Sequence, residues 1–240
     1  MLLEGKTAIV YGASGAIGSA VARSYAEGGA AVHLVGRTRS DLERTAAAIQ
    51  DAGGTAHIAA LDVLDFDATR QHAAGVAAGG RLDIAFDAIS NDDLQGVALL
   101  DMDFEDVIRP VRKSVTALYS IAVAVAPHMR TGRSGVILAM AGGREAIPNL
   151  GGSHVAWSAL AGLCRQLAAE LGPDGIRVSW LLSPGSPDDG EVLDPEAGVG
   201  LIGRRPSLAD VARVATFLAS DWAPTMTATE VNITGGAVID

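Results

Sequence analysis

The sequence predicts one α/β domain spanning residues 1–240, a doubly wound parallel sheet of about seven strands with helices on both faces. Three observations predict it. Short apolar runs alternate with helical stretches along the whole chain, and the first run ends on a glycine-rich loop that opens a helix. No repeat, low-complexity run or linker divides the chain, whose 240 residues are 49% hydrophobic and 19% charged. That is enough apolar mass for one sizeable core.

The apolar runs fall at 7–11, 31–35, 56–61, 82–89, 136–140, 177–182 and 230–233. Each is bounded by turn residues and too short for a helix, as strands buried on both faces are. The first helix is expected to begin near Ser19. Ser40, Asp41, Leu42 and Glu43 have the pattern of a capping box and are expected to open the second. Val107, Val111, Val115, Leu118 and Val125 recur at helical spacing, as do Leu160, Leu163, Leu167 and Leu171. Long helices over 107–129 and 153–171 follow, with alanine-rich faces suited to close packing between subunits.

Charge and composition exclude several classes. Eighteen Lys and Arg against 28 Asp and Glu leave a net charge of −10, which argues against nucleic acid or an anionic membrane as the main partner. Cys164 is the only cysteine, so no intrachain disulfide and no cysteine-rich metal site can form. The first residues lack a basic, cleavable leader pattern. The longest uncharged stretch, 146–164, contains Pro148, Gly151 and His154 and reads as no membrane span. The expectation is a soluble, cytoplasmic protein with a small-molecule substrate and no metal.

Gly12, Ala13, Ser14, Gly15, Ala16, Ile17 and Gly18 follow the first run and lead into a helix. Glycines there permit a tight turn and let backbone amides approach a pyrophosphate, with the positive end of the helix dipole behind them. The same loop can serve turn geometry alone. The second strand ends Gly36, Arg37, Thr38, Arg39, with no acid for a ribose 2′-hydroxyl and with arginines that suit a 2′-phosphate. NADP(H) is therefore favoured over NAD(H), although the two arginines also fit a solvated turn.

The chain resembles the short-chain dehydrogenase/reductase (SDR) family over nearly its whole length. The matching pieces are the glycine loop, Leu61-Asp62-Val63, Leu82-Asp83-Ile84 and Pro127-His128-Met129. They continue with 170–178, Ser183-Pro184-Gly185, 217–221 and Asn232-Ile233-Thr234-Gly235-Gly236. The resemblance implies a Rossmann-type domain binding a nicotinamide dinucleotide. Its cofactor positions fall on Gly12, Ser14, Gly15, Ile17, Gly18, Arg37, Thr38, Asp62, Val63, Ala88, Ser90, Pro184 and Gly185. It also implies a homotetramer or homodimer joined through the two long helices. Ala16 stands where the family's common form has glycine, Tyr11 replaces a threonine, and Asp87-Ala88-Ile89-Ser90 replaces Asn-Asn-Ala-Gly.

The largest departure is catalytic. Counting back from Glu170 puts the family's tyrosine position at Ser153 and its lysine at Trp157. The serine position falls on Met140, with Ala141 one register step away, and the asparagine position on Ser114. No tyrosine or lysine lies between Ser120 and Asp240, so no small register shift restores the motif. A positioned general acid is worth about 10²–10⁴ in rate, and an oxyanion donor on the order of 10²–10³. His154 and Asp87 are the candidate substitutes. Each also has a purely structural reading, as a packing histidine and as a carboxylate accepting backbone amides. Arg144 and Glu145 lie in the loop over the expected substrate site, where charged residues are commonly just solvated. Trp157 can pack, stack on a ring or fill ribose space. The acidic segment 186–203 reads as a substrate-side lid or a solvated loop. Three readings stay open: an atypical NADP(H)-dependent oxidoreductase, a non-redox enzyme (isomerase, dehydratase or cyclase), and a catalytically silent nucleotide-binding or interaction protein.

Overall fold

A computed structural model describes residues 1–183 and 200–239. The chain runs β1 (Thr7–Tyr11), α1 (Ala16–Glu27), β2 (Ala31–Gly36), α2 (Arg39–Asp51), β3 (Thr55–Ala60), α3 (Phe66–Ala78) and β4 (Ile84–Asp87). It continues through α4 (Phe104–Gly132), β5 (Gly135–Ala141), α5 (Ser153–Leu171), β6 (Ile176–Leu182), α6 (Leu208–Ala219) and β7 (Thr229–Asn232). All pairings are parallel, in the order β3-β2-β1-β4-β5-β6-β7. Tyr11 lies between Val35 and Asp87 in register. The strand order reverses between β1 and β4, so a crevice opens beyond their carboxyl ends, where open sheets of this kind bind ligands.

Alternation along each strand splits the core into two layers. Tyr11, Ile137, Ala139, Ala141 and Trp180 share one apolar cluster with α3, α4 and α5. Val10, Phe86, Val136 and Leu138 share the other with α1, α2 and α6. No helix among the described residues is long and apolar enough to cross a membrane.

Several local expectations are corrected. Helix α1 starts at Ala16, three residues before Ser19, because Gly15 already turns the chain into helix. Thr38 caps α2 without a side-chain bond, which places Ser40 inside the first turn, and Glu43 faces Arg39 at 3.8 Å instead. The capping box lies at α6, where Ser207 and Asp210 each accept the other's backbone N–H. Strand β4 is shorter than 82–89, for the Asp83 carboxylate turns to accept the Thr7 N–H at 3.0 Å. Of the expected lid, 186–199 lies outside the described residues, while Ile202 donates its N–H to the Gly235 carbonyl at 3.2 Å.

Candidate active site

The loop between β1 and α1 needs its glycines. Gly12 has a φ of +78°, and a Cβ there would come within 2.5 Å of the Ala88 carbonyl oxygen. A Cβ on Gly18 would stand 2.1 Å from the Gly12 carbonyl oxygen. The loop is thus pressed against the end of β4 and against its own helix. Gly15 caps α1 with no side-chain bond among the described residues and no acid stands in the first turn, so no carboxylate there would oppose an anion at the first amides. Ala16 is exposed and lines the larger chamber beside Ile17.

Two chambers open along the carboxyl edge of the sheet and share Gly15, Ala88, Ile89 and Ser90. The smaller, about 260 Å³, is lined also by Gly12, Ser14, Arg37, Asp62, Val63, Asp92 and Lys113. The larger, about 390 Å³, adds Ile17, Gly18, Asp87, Ser114, Met140, Ala141, Trp157 and Ser183. This pairing has the form of an adenosine end and a nicotinamide-plus-substrate end joined at the glycine loop. A bigger depression of about 560 Å³ lies around Lys6, Arg23 and Thr55 at the amino edge of the strands, away from the crevice. Thr38, the N-cap of α2, lines neither chamber. Pro184 and Gly185 lie outside the described residues. No group of three metal-ligating side chains occurs among the described residues.

In the larger chamber Asp87 is the only titratable lining side chain among the described residues. It is 5% exposed, and burial pushes its carboxyl from 3.8 up to about 7, against the opposing effect of the bond it accepts from the Ile89 N–H at 3.0 Å. Its neighbours stay neutral. Burial first, then the charge of Asp87, raises Tyr11 above its usual 10 and pushes Cys164 up to about 12.

Of the four expected catalytic positions, Ser114, Met140 and Trp157 line the larger chamber and Ser153 does not. Ser114, on α4, and Trp157, on α5, line the larger chamber, and a Cβ on Gly142 would overlap the Trp157 ring at 2.2 Å, so the indole lies against that backbone. Met140 packs with the α1 and α6 layer, whereas Ala141 joins the layer of α4 and α5. Ala141 is thus in the layer that also holds Trp157, while Met140, in the other layer, still borders the larger chamber. Ser153 is fully buried and lines neither chamber. Its hydroxyl donates to the Asp93 carboxylate, to which Gln95 also donates.

His154 is removed from the larger chamber. It lines a separate cavity of about 260 Å³ with Arg144, Arg165 and Glu230, and only Trp157, Ala141 and Gly142 border both spaces. Arg144 ion-pairs with Glu230, which also accepts the Trp180 indole N–H at 2.6 Å, while Glu145 is exposed. Asp92, Lys113 and Asp93 escaped the sequence reading. The one available signal was the altered segment after β4, where two adjacent acids follow Ser90 and Asn91.

A parallel sheet with a glycine loop and two chambers at its switch point is the architecture of the Rossmann-type doubly wound α/β proteins. A family model described as Enoyl-(Acyl carrier protein) reductase matches residues 12–238. Dehydrogenase/reductase SDR family member 4 of Sus scrofa is 34% identical over 189 residues, covering 76% of this chain and 66% of that protein, slightly under two thirds of its length. Oxidoreductase UcpA of Salmonella typhimurium is 30% identical over 259 residues, 99% of this chain and 96% of that one. The crystal structure of an NAD+-bound xylitol dehydrogenase superposes with a TM-score of 0.87 at 26% identity, covering 98% of this chain and 100% of the other. The chain belongs to the short-chain dehydrogenase/reductase family of oxidoreductases.

Proposed function

We propose that this protein is an NADP(H)-dependent oxidoreductase that works on a small molecule without the tyrosine and lysine of its family, with Asp87 as the proton donor. The observation that carries the reading is the larger chamber, in which one buried carboxyl, raised to about 7, is the only titratable lining group among the described residues. At neutral pH that carboxyl is about half protonated, the condition under which one group can give or take a proton at useful rate. A bound nicotinamide supplies or accepts a hydride at a carbonyl or carbinol carbon. Ser114 offers a hydroxyl that can donate to a substrate oxygen in the same chamber. The amides at the start of α1 hold the pyrophosphate, and Arg37 in the smaller chamber supports a 2′-phosphate.

Oxidation of NADPH over a broad carbonyl panel, wild type against Asp87→Asn, tests this. A turned-over substrate whose rate falls by about 10²–10⁴ in the variant supports Asp87 as the donor. An unchanged rate removes it. A second reading, a silent nucleotide-binding protein, draws on the tyrosine position, where Ser153 is buried on Asp93 away from both chambers. Tight NADPH binding with no turnover on any compound would favour it.

A further inference from the structure

The smaller chamber contains a carboxylate that the end of β2 does not supply. Asp92 comes from the segment after β4 and lines the chamber together with Arg37 and Lys113. Its carboxylate is ion-paired with the Lys113 ammonium, whose side chain is only 13% exposed. Its carbonyl oxygen accepts from the Arg109 guanidinium at 3.1 Å, and its N–H donates to the Ser90 hydroxyl at 3.3 Å. The residue is held with a φ of +55°, a left-handed conformation that aspartate and asparagine tolerate better than most. Lys113, then Arg37 and Arg109, favour its ionised form and hold its carboxyl below the usual range.

An ammonium largely withdrawn from water needs a counter-ion, and in this conformation Asp92 is that counter-ion. A phosphate entering beside Arg37 brings about two negative charges to the same cations. It must then either share them with the carboxylate or displace it. We propose that Asp92 and Lys113 form the selectivity switch of the adenosine end: Asp92 is a built-in anion that opposes a 2′-phosphate, and Lys113 is the second cation, beside Arg37, that the phosphate gains when Asp92 gives way. This rests on the reading of the smaller chamber as the adenosine end of a dinucleotide site. Lys113 adjoins Ser114, which lines the larger chamber, so one turn of α4 spans both ends of the site.

The test is calorimetric titration of the full chain with adenosine 2′,5′-bisphosphate and with adenosine 5′-monophosphate, which differ only by the 2′-phosphate. Asp92→Asn keeps the left-handed backbone and the size while removing the charge. It should tighten the bisphosphate by about tenfold, the scale of one partly solvated charge contact, and leave the monophosphate unchanged. Lys113→Met should weaken the bisphosphate by about as much, with the same indifference to the monophosphate. An unchanged ratio of the two affinities in both variants overturns the proposal. Loss of monophosphate affinity in Asp92→Asn overturns it too, since Asp92 would then be an acceptor for ribose hydroxyls. The NADP(H) reading is judged separately, by the wild-type ratio. A wild type that prefers the monophosphate, with Asp92→Asn still raising the ratio about tenfold, sinks that reading and keeps the switch.

Discussion

Replacing Asp87 by asparagine should change the pH dependence of stability, with a sign opposite to that of an ordinary surface acid. A carboxyl raised from 3.8 to about 7 by burial costs about 4 kcal/mol more to ionise in the folded chain than in the unfolded one. Between those values the folded chain binds more protons at this site than the unfolded chain does. The contribution to stability is therefore full below the unfolded pKa and is lost as pH rises through the folded one. From pH 5 to pH 8 the loss amounts to about 2.5 kcal/mol. Asparagine keeps an oxygen to accept the Ile89 N–H and cannot ionise. The variant should therefore gain on the wild type by about 2.5 kcal/mol between pH 5 and pH 8. Urea unfolding followed through the fluorescence of buried Trp180 measures it, and taking the difference between the two proteins cancels every other titrating group. A difference that stays level within about 1 kcal/mol across that range would refute a buried, proton-holding Asp87. Its role as donor would fall with it.

Other outcomes are expected. Wild-type protein should bind NADPH more tightly than NADH, and Arg37→Ala should weaken NADPH selectively; equal affinities in calorimetry would count against Arg37 as a phosphate contact. Simple ketones, 3-oxoacyl thioesters and secondary alcohols should turn over little with either cofactor. Joint Ser153→Tyr, Trp157→Lys and Ala141→Ser changes should yield at most weak activity, because Ser153 is anchored to Asp93 in the β4–α4 segment; stopped-flow NADPH oxidation checks both points. Light scattering at micromolar concentration should show a dimer or tetramer built through α4 and α5, whose exposed apolar side chains include Tyr119 and Val155; a monomer mass would oppose it. His33 is stacked on His57 at 4.7 Å, and burial, then His57 and His72, lower it from 6.5 to about 4. Its contribution is present above 6.5 and is lost as pH falls through about 4, so His33→Phe should flatten the acid limb of the stability curve. An acid limb as steep as in the wild type would exclude His33 as its source.

Much of the frame was legible in the chain itself. Apolar runs bounded by glycine and proline can only be buried strands, and a glycine loop between strand and helix is a local signal. The parallel, doubly wound class followed from them, whereas the strand order and its reversal between β1 and β4 came only with the structure. Gly12, Gly15 and Arg37 stood out from the loop and strand end themselves, Ser14, Asp62 and Ser90 came with the family resemblance, and all six line the smaller chamber.

What depends on direction rather than order was decided only in three dimensions. Side chains along β5 alternate between layers, so one residue of register puts Met140 in the layer of α1 and α6 and Ala141 in the layer that holds Trp157. His154 adjoins Ser153 in sequence, yet it lines another cavity, because one step along a helix turns the side chain by about 100°. Asp92 and Asp93 lie in a segment without periodicity to reveal its path. Only the folded chain carries Asp92 to Lys113, 21 residues onward, and Asp93 to Ser153, 60 residues onward. Sequence spacing reports which face of a regular element a residue occupies. Which charge an irregular segment delivers into a site is determined by long-range packing and by the need of buried ions for partners.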